Sequence, residues 1–246
     1  MCGGRQNKQK CLQLDHSTWK NHSALNVARA GHSTVTTQTA TFIFGGTFSP
    51  KTFEYLPNDS NTWLMGKTEI PGYGFISGCA ITIKSGEEIL LIGGFKTEKR
   101  ILSFNVKEHT FRELQSRLNV GRMGHRCGFI PNTEKVMITG GLYLDSTEVL
   151  DTDDESIVMG SPLNSIRRNH GMGIFTINGE DKLATFGGEN RDAYMDSVEV
   201  FNTQTEKWEN SSMKLTAPRG YFGFHTVKLS TILSDLQYYP ARNAHA

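Results

Sequence analysis

Arginine and histidine recur together in this sequence, and both side chains can bind ligands. The spacing Arg-x-x-His occurs at 29–32, 122–125 and 167–170, while 72–75 and 219–222 share its phase without repeating it. A guanidinium group binds a carboxylate through two parallel hydrogen bonds, and an imidazole ring can bind zinc or copper. The pattern therefore favours an acidic ligand or a metal, depending on which side chains the fold brings together.

Sequence motifs of enzymes are absent. The chain has no Gly-x-Ser-x-Gly, Gly-x-x-x-x-Gly-Lys, His-Glu-x-x-His or Cys-x-x-Cys, which would indicate a serine nucleophile, a phosphate-binding loop, a zinc protease or a thiol site. The acidic run 151–155 lacks the glycine and spacing of a calcium loop and is interpreted as a solvated turn. We predict no cofactor and no catalytic residue.

Charge and hydropathy limit the classes of partner. Lysine and arginine number 26 against 25 aspartates and glutamates, a net charge of +1, which gives no long-range field to attract nucleic acid or an anionic membrane. No stretch reaches the roughly 18 apolar residues of a membrane-spanning helix. We therefore predict that the chain binds neither nucleic acid nor membrane; we also expect a monomer.

The elements that position these residues are repeated. Pairs of glycine end four short apolar runs and their first members lie 48, 47 and 47 residues apart. The pairs are Gly45-Gly46, Gly93-Gly94, Gly140-Gly141 and Gly187-Gly188. A fifth pair, Gly3-Gly4, has the same phase, so we expect the given sequence to begin inside a repeat. Such a period is typical of repeat architectures.

Each repeat is predicted to contain four short strands. Alternation of period two, rich in Val, Ile, Thr and Phe, is clear at 197–201, and helical spacing is absent. We name the strands a, after the Arg-x-x-His phase; b, ending in Gly-Gly; c, ending in an aromatic residue and a turn; and d, carrying a large residue. Radial stacking of such sheets covers both faces of each, which favours a β-propeller.

These motifs resemble the kelch repeat, as in the galactose-oxidase-like central domain: a period near 50, a diglycine after an apolar strand, a spaced Tyr or Phe, a Trp, and an Arg opening the next unit. The resemblance covers residues 3 to 225. It implies an all-β, kelch-type propeller of about five four-stranded blades, with a composite terminal blade or a truncated ring.

The predicted domain is a propeller at 1–229 followed by a C-terminal tail at 230–246. Its repeats are placed at about 29–71, 72–121, 122–167 and 168–218, with a split blade formed by 1–28 and 219–229. A structural role is predicted for the eight glycines of the four complete pairs, which should let the blades pack closely. A structural role is also predicted for four large side chains that should fill the space between blades: Trp19, Trp63, Phe111 and Trp208.

The resemblance also assigns roles to the arginines. Kelch domains that recognise acidic or polar peptide segments present arginine from the d-to-a connections, which implies that Arg29, Arg122, Arg168 and Arg219 bind a partner. The alternative is that each arginine bonds carbonyls in its own turn and orients the blade. Gly72 interrupts this ring. Since the three histidines come from separate blades, no metal site is predicted. The predicted function is a non-catalytic module that binds a protein through one propeller face; the alternative is a fragment of a secreted, sugar-active or metal-dependent kelch enzyme.

Cysteines leave the compartment open. Cys2 and Cys11 flank the first b-to-c connection and could form a disulfide, whereas Cys79 and Cys127 occupy matching a strands and are interpreted as small core residues. A chain complete at Met1 would be cytoplasmic, because it lacks a secretory leader. If Cys2 and Cys11 are bridged and a signal sequence is missing from the given sequence, the protein would be extracellular.

Overall fold

The computed structural model describes residues 2–4, 8–15, 18–177 and 179–221, and these residues form an almost entirely β structure. Eighteen strands lie in this part of the chain, together with one short 3-10 turn at Lys84–Gly86. Among the same residues, no helix is long and apolar enough to cross a membrane.

The strands form four antiparallel four-stranded sheets and one two-stranded sheet. The two-stranded sheet contains β1 (Cys11–Asp15) and β2 (Thr18–His22). Blade 1 contains β3 (Ser33–Thr36), β4 (Ala40–Phe44), β5 (Phe53–Pro57) and β6 (Leu64–Met65). Blade 2 contains β7 (Cys79–Ile83), β8 (Glu88–Ile92), β9 (Ile101–Asn105) and β10 (Thr110–Glu113). Blade 3 contains β11 (Arg126–Phe129), β12 (Lys135–Gly141), β13 (Leu144–Asp151) and β14 (Ile157–Gly160). Blade 4 contains β15 (Gly171–Ile177), β16 (Glu180–Phe186), β17 (Ser197–Asn202) and β18 (Lys207–Lys214).

Each blade follows the predicted order a, b, c, d. The a strands β3, β7, β11 and β15 contact one another in sequence, blade to blade, and are therefore the innermost strands around a common axis. Apolar clusters fill the spaces between consecutive blades. This arrangement confirms the predicted β-propeller, although four complete blades are described rather than about five.

The predicted split blade is described only in part. Its c and d strands are β1 and β2. Of its b strand, the described residues contain only one isolated antiparallel β-bridge, in which the backbone of Cys2 pairs with that of Cys11. The closing a strand was predicted at 219–229, and residues 222–229 lie outside the described residues, as does the predicted tail at 230–246.

Antiparallel strand order gives the propeller two different faces. Strand direction alternates within a blade, so the b-to-c and d-to-a connections emerge together on one side, here called the loop face. The a-to-b and c-to-d turns emerge on the opposite side, here called the turn face.

The large residues of the d strands behave differently from one another. Trp63 and Trp208 are 5% and 4% exposed and lie in clusters between blades, and Phe111 packs against the cluster shared by blades 1 and 2. Trp19 is 51% exposed, which corrects its predicted role as a core residue. Its partner across the two-stranded sheet, Leu14, is also exposed, because no described residue covers that face.

The diglycines join each blade to the next. The second glycine of every pair donates its N–H to a carbonyl at the start of the following blade, at 2.8–3.0 Å; the acceptors in chain order are Arg29, Phe75, Arg122, Arg167 and Arg219. The first glycines have left-handed φ angles, and a Cβ at Gly93 would lie 2.8 Å from the Arg122 oxygen. Only glycine permits this approach at no steric cost.

Two disulfides cross-link the chain. One joins Cys2 to Cys11, the pair that the sequence predicts as a possible disulfide. The other joins Cys79 of β7 to Cys127 of β11, with their Cα atoms 5.9 Å apart. The interpretation of Cys79 and Cys127 as small core residues is thereby corrected, because neighbouring a strands bring the two thiols together at the axis.

Candidate partner-binding face

Three of the repeated arginines lie inside the blades. Arg29, Arg122 and Arg167 are fully buried, and each forms an ion pair with an equally buried glutamate of the c strand in its own blade. The pairs are Arg29–Glu54 at 2.9 Å, Arg122–Glu148 at 3.0 Å and Arg167–Glu199 at 2.9 Å. Burial lowers the pKa of each guanidinium, and its glutamate opposes that shift.

Further groups hydrogen-bond to the members of each pair, although Nε of Arg167 has no partner among the described residues. In blade 3, Nη1 of Arg122 donates to the carbonyls of Gly140 (2.8 Å) and Ser146 (2.6 Å). Asn119, three residues earlier, donates both its backbone N–H and its side-chain amide to Glu148. Blades 1 and 4 repeat this arrangement, so an Asn-x-x-Arg segment and a distant glutamate fix the entry to each of these three blades.

These contacts correct two of the predicted partner-binding residues. Arg29 and Arg122 cannot reach a partner, because their side chains have no exposed surface and all face into their own blades. The equivalent residue of blade 4 is Arg167 rather than Arg168. The d-to-a connections do position arginine, but they point it inward.

Blade 2 lacks the ion pair and also shows a different register from the predicted one. Phe75, rather than Gly72, accepts the hydrogen bond from the preceding diglycine and so occupies the arginine position. Leu102 occupies the glutamate position, opposite Leu91. Phe75 and Leu102 are buried in the same apolar cluster, so both charges are replaced together.

The histidines pack between blades. His125 and His170 are fully buried, and Nε2 of His170 lies 2.9 Å from the hydroxyl of Thr139, beside the diglycine of blade 3. Burial lowers the pKa of His32 to about 4 and that of His125 to about 3, and it lowers the pKa of His170 strongly. No three His, Cys, Asp or Glu side chains of the described residues are grouped as a metal site.

Exposed aromatic residues are concentrated on the loop face. The b-to-c connections carry Phe48, Phe95, Tyr143 and Tyr194, and the d-to-a connections carry Tyr73 and Tyr221; each side chain is 45–65% exposed. Among the described residues, the turn-face connections expose no large apolar side chain, and the others that are exposed lie on strands β1, β2, β6, β14 and β18. One face is therefore rich in the residue types that form binding hot spots.

Cations accompany these rings. Nζ of Lys96 lies 5.1 Å from the centre of Tyr73 and 5.6 Å from that of Phe95. Lys8 lies 4.3 Å from the Phe48 ring. An open cleft beside Tyr73 is lined by Lys96, Lys99, Arg100 and Arg117 together with Glu98, and both arginines form ion pairs with Glu113.

The other two predicted arginines lie on this face. Arg168 is 29% exposed, forms a 2.8 Å ion pair with Glu189 and lies 6.0 Å from the Tyr143 ring. Arg219 is exposed and donates to the carbonyl of Ala217 at 3.3 Å. Their predicted role in partner binding remains compatible with their positions.

A further arginine, Arg126, escaped the sequence prediction. It is the first residue of β11, at the loop-face end of an innermost strand, and it is partly exposed. Its Nη1 donates to the carbonyl of His125 at 3.0 Å, and no described carboxylate lies within ion-pair distance. Burial lowers its pKa to about 10, so it remains charged at neutral pH and could accept an anionic partner.

Comparisons with known proteins support the fold. No family model matches the chain, and no curated protein matches it. The solved structure of YjhT superimposes with a TM-score of 0.72 and 14% identity, covering 86% of this chain and 79% of that one. At this identity the likeness shows the fold alone, so the resemblance to kelch repeats stays a prediction.

Proposed function

We propose that this chain is a non-catalytic module that binds a protein partner through the loop face of its propeller. The observation that carries the proposal is the one-sided distribution of exposed aromatic side chains. A connection on the loop face of every described blade contributes at least one, whereas the described turn-face connections contribute none.

The charges on the loop face favour an acidic or polar partner segment. Arg126 lies beside the axis without a described carboxylate partner, and Lys96 and Arg168 lie close to exposed rings. A desolvated cation gains most from an anionic group that the partner supplies, and guanidinium groups fit carboxylates well. Aromatic side chains would supply the apolar contact around these charges.

A photo-crosslinking experiment tests the proposal. A benzophenone amino acid replaces Tyr73 or Tyr143 on the loop face, and in the matched control it replaces Val158, an equally exposed side chain on the edge strand β14. In an extract of the natural source, we expect the loop-face positions to crosslink one protein, with competition by unlabelled chain. Equal crosslinking from Val158 would contradict the proposal.

Affinity for the crosslinked protein then tests the residues. We expect Tyr143→Ala or Arg126→Gln to weaken binding by about tenfold or more, the size of a hot-spot contact, and Val158→Ala to leave it unchanged. Because Tyr143 is 58% exposed, its substitution should leave the unfolding midpoint intact. Unchanged affinity in both loop-face variants would refute the assignment of this surface.

A further inference from the structure

The disulfides point to an oxidising compartment. All four cysteines of the chain are paired, and no described cysteine is free. Each bridge forms when two thiols lose two electrons and two protons to an oxidant, which the secretory pathway supplies by disulfide exchange. Reduced cytosolic proteins rarely retain such bridges.

Three acceptor sequences for N-glycosylation lie at the surface. Asn21, Asn58 and Asn210 each precede a serine by two residues, and all three asparagines are exposed. Asn58 lies in the c-to-d turn of blade 1, on the turn face. Asn21 and Asn210 lie on the d strands β2 and β18, at the circumference of the propeller.

Two of these sequences occupy the same position of the repeat. Trp19 and Trp208 stand at equivalent points of their d strands, opposite Leu14 and Phe201 of their c strands, and each is followed by x-Asn-x-Ser. No acceptor sequence falls in a described loop-face connection. Bulky glycans at these asparagines would therefore attach to the edge and the turn face.

We propose that this chain is a glycoprotein of the secretory pathway, modified at Asn21, Asn58 and Asn210. In the reaction, the donor is an oligosaccharide linked to a lipid through a pyrophosphate. A bond forms between C1 of the first sugar and the asparagine Nδ2, the bond from C1 to the pyrophosphate oxygen breaks, and Nδ2 loses one proton. The lipid pyrophosphate leaves with the electron pair.

The folded structure accommodates the modification. The side-chain amide of Asn58 donates to the carbonyl of Gln38 at 2.7 Å. A glycosylated Nδ2 keeps one hydrogen, so this hydrogen bond can persist beside the sugar. The bulky solvated glycan then extends from an exposed turn.

Mass spectrometry of the chain purified from its natural source tests the proposal. Digestion with a peptide N-glycosidase in heavy-oxygen water converts each glycosylated asparagine into an aspartate that carries the label. We expect labelled peptides at the three asparagines and an unlabelled Asn202, which is partly exposed but followed by Thr-Gln. We also expect a disulfide-linked peptide containing Cys79 and Cys127. Unlabelled asparagine at all three positions would overturn the proposal.

A pair of variants gives an independent test in eukaryotic cells that express the chain with a secretion leader. Ser212→Ala removes the acceptor sequence but keeps Asn210, and Ser212→Thr retains the sequence. We expect Ser212→Ala to lose one glycan-sized step in gel mobility and Ser212→Thr to match the wild type. If the wild type, Ser212→Ala and Ser212→Thr had the same mobility as one another before glycosidase treatment, and again after it, modification at Asn210 would be contradicted.

Discussion

At the scale of single residues, the buried arginines connect three parts of one blade. Arg167 joins the start of blade 4 to the c-strand residue Glu199 and to the carbonyl of Gly187. A charge buried with its partner is costly to expose singly, because removing one member leaves the other unpaired in a low-dielectric interior. The same pair makes the blade's internal register strongly specified.

Arg167→Met should therefore destabilise the protein by about 3–5 kcal/mol, the cost of breaking a buried ion pair. The adjacent Arg168, whose ion pair is partly exposed, provides the control, and Arg168→Met should cost less than about 1 kcal/mol. Urea unfolding at neutral pH measures both. Similar losses for the two variants would contradict the distinction between inward and outward arginines.

Blade 2 suggests how the loss could be reduced. Since Phe75 and Leu102 replace both charges there, the double variant Arg167→Phe with Glu199→Leu should lose less stability than Arg167→Met alone. Replacing both members of a buried pair avoids an unpaired charge, although the Asn164 N–H groups lose their acceptor. A double variant less stable than the single variant would show that packing dominates.

The buried histidines should make the fold sensitive to acid. Burial holds the pKa of His125 near 3, below the ordinary value of 6.5 in the unfolded chain. The unfolded state thus binds more protons below pH 6.5, and stability is lost as pH falls from 6.5 towards 3. Between pH 6.5 and pH 5, protonation of this one residue in the unfolded chain should lower the free energy of unfolding by about 1.6 kcal/mol.

His125→Gln should flatten this dependence by the contribution of one group, whatever its effect at neutral pH. Urea unfolding at pH 7, 6 and 5 gives the slope for each protein. Burial also lowers the pKa values of His32 and His170, so these two residues should make stability depend on pH in both the wild type and the variant. The same slope in wild type and variant would refute the role of His125.

At the scale of elements, the diglycines determine how closely one blade approaches the next. Gly140 has φ +63°, and a Cβ there would collide with the carbonyl oxygen of Arg167 in blade 4. Gly179 has φ +81°, but a Cβ there would meet no atom of the described residues within 4 Å. The two positions share the left-handed conformation and differ in the collision.

Gly179→Ala should cost about 1–2 kcal/mol, the penalty of a left-handed alanine. Gly140→Ala should cost at least about 3 kcal/mol, because the backbone of two blades must separate. Chemical denaturation compares the variants directly. Equal costs would mean that conformational preference alone selects glycine and that close contact between blades does not.

At the scale of the whole molecule, the disulfides constrain different lengths of chain. Cys79 and Cys127 lie 48 residues apart and join two blades, whereas Cys2 and Cys11 lie 9 apart. In the chain-entropy description, a longer closed loop restricts the unfolded state more.

Cys79→Ala with Cys127→Ala should lower the free energy of unfolding by about 4 kcal/mol, and Cys2→Ala with Cys11→Ala by about 2.5 kcal/mol. Denaturant unfolding without reductant measures both losses. A larger loss for the short loop would show that local packing, rather than chain restriction, governs the effect.

The repeat, the four strands of each blade and the structural glycines could all be predicted from the sequence. Their cause is local: a strand alternates with period two, and a left-handed turn requires glycine, so both leave a regular trace along the chain. The phase of that trace also placed Trp63 and Trp208 between blades. The repeat spacing was wrong for blade 2, where it assigned the arginine position to Gly72. The connection before this blade shifts the register by three residues, so that Phe75 occupies the position.

Only the tertiary structure decided what each arginine does. Arg29 and Arg219 share one phase of the repeat, yet the first is buried against Glu54 and the second is exposed. The partner of Arg29 lies 25 residues away, in a strand whose neighbours are set by blade assembly. The direction of a side chain depends on groups that are distant in sequence, and the spacing of residues along the chain does not show which distant groups will lie beside it.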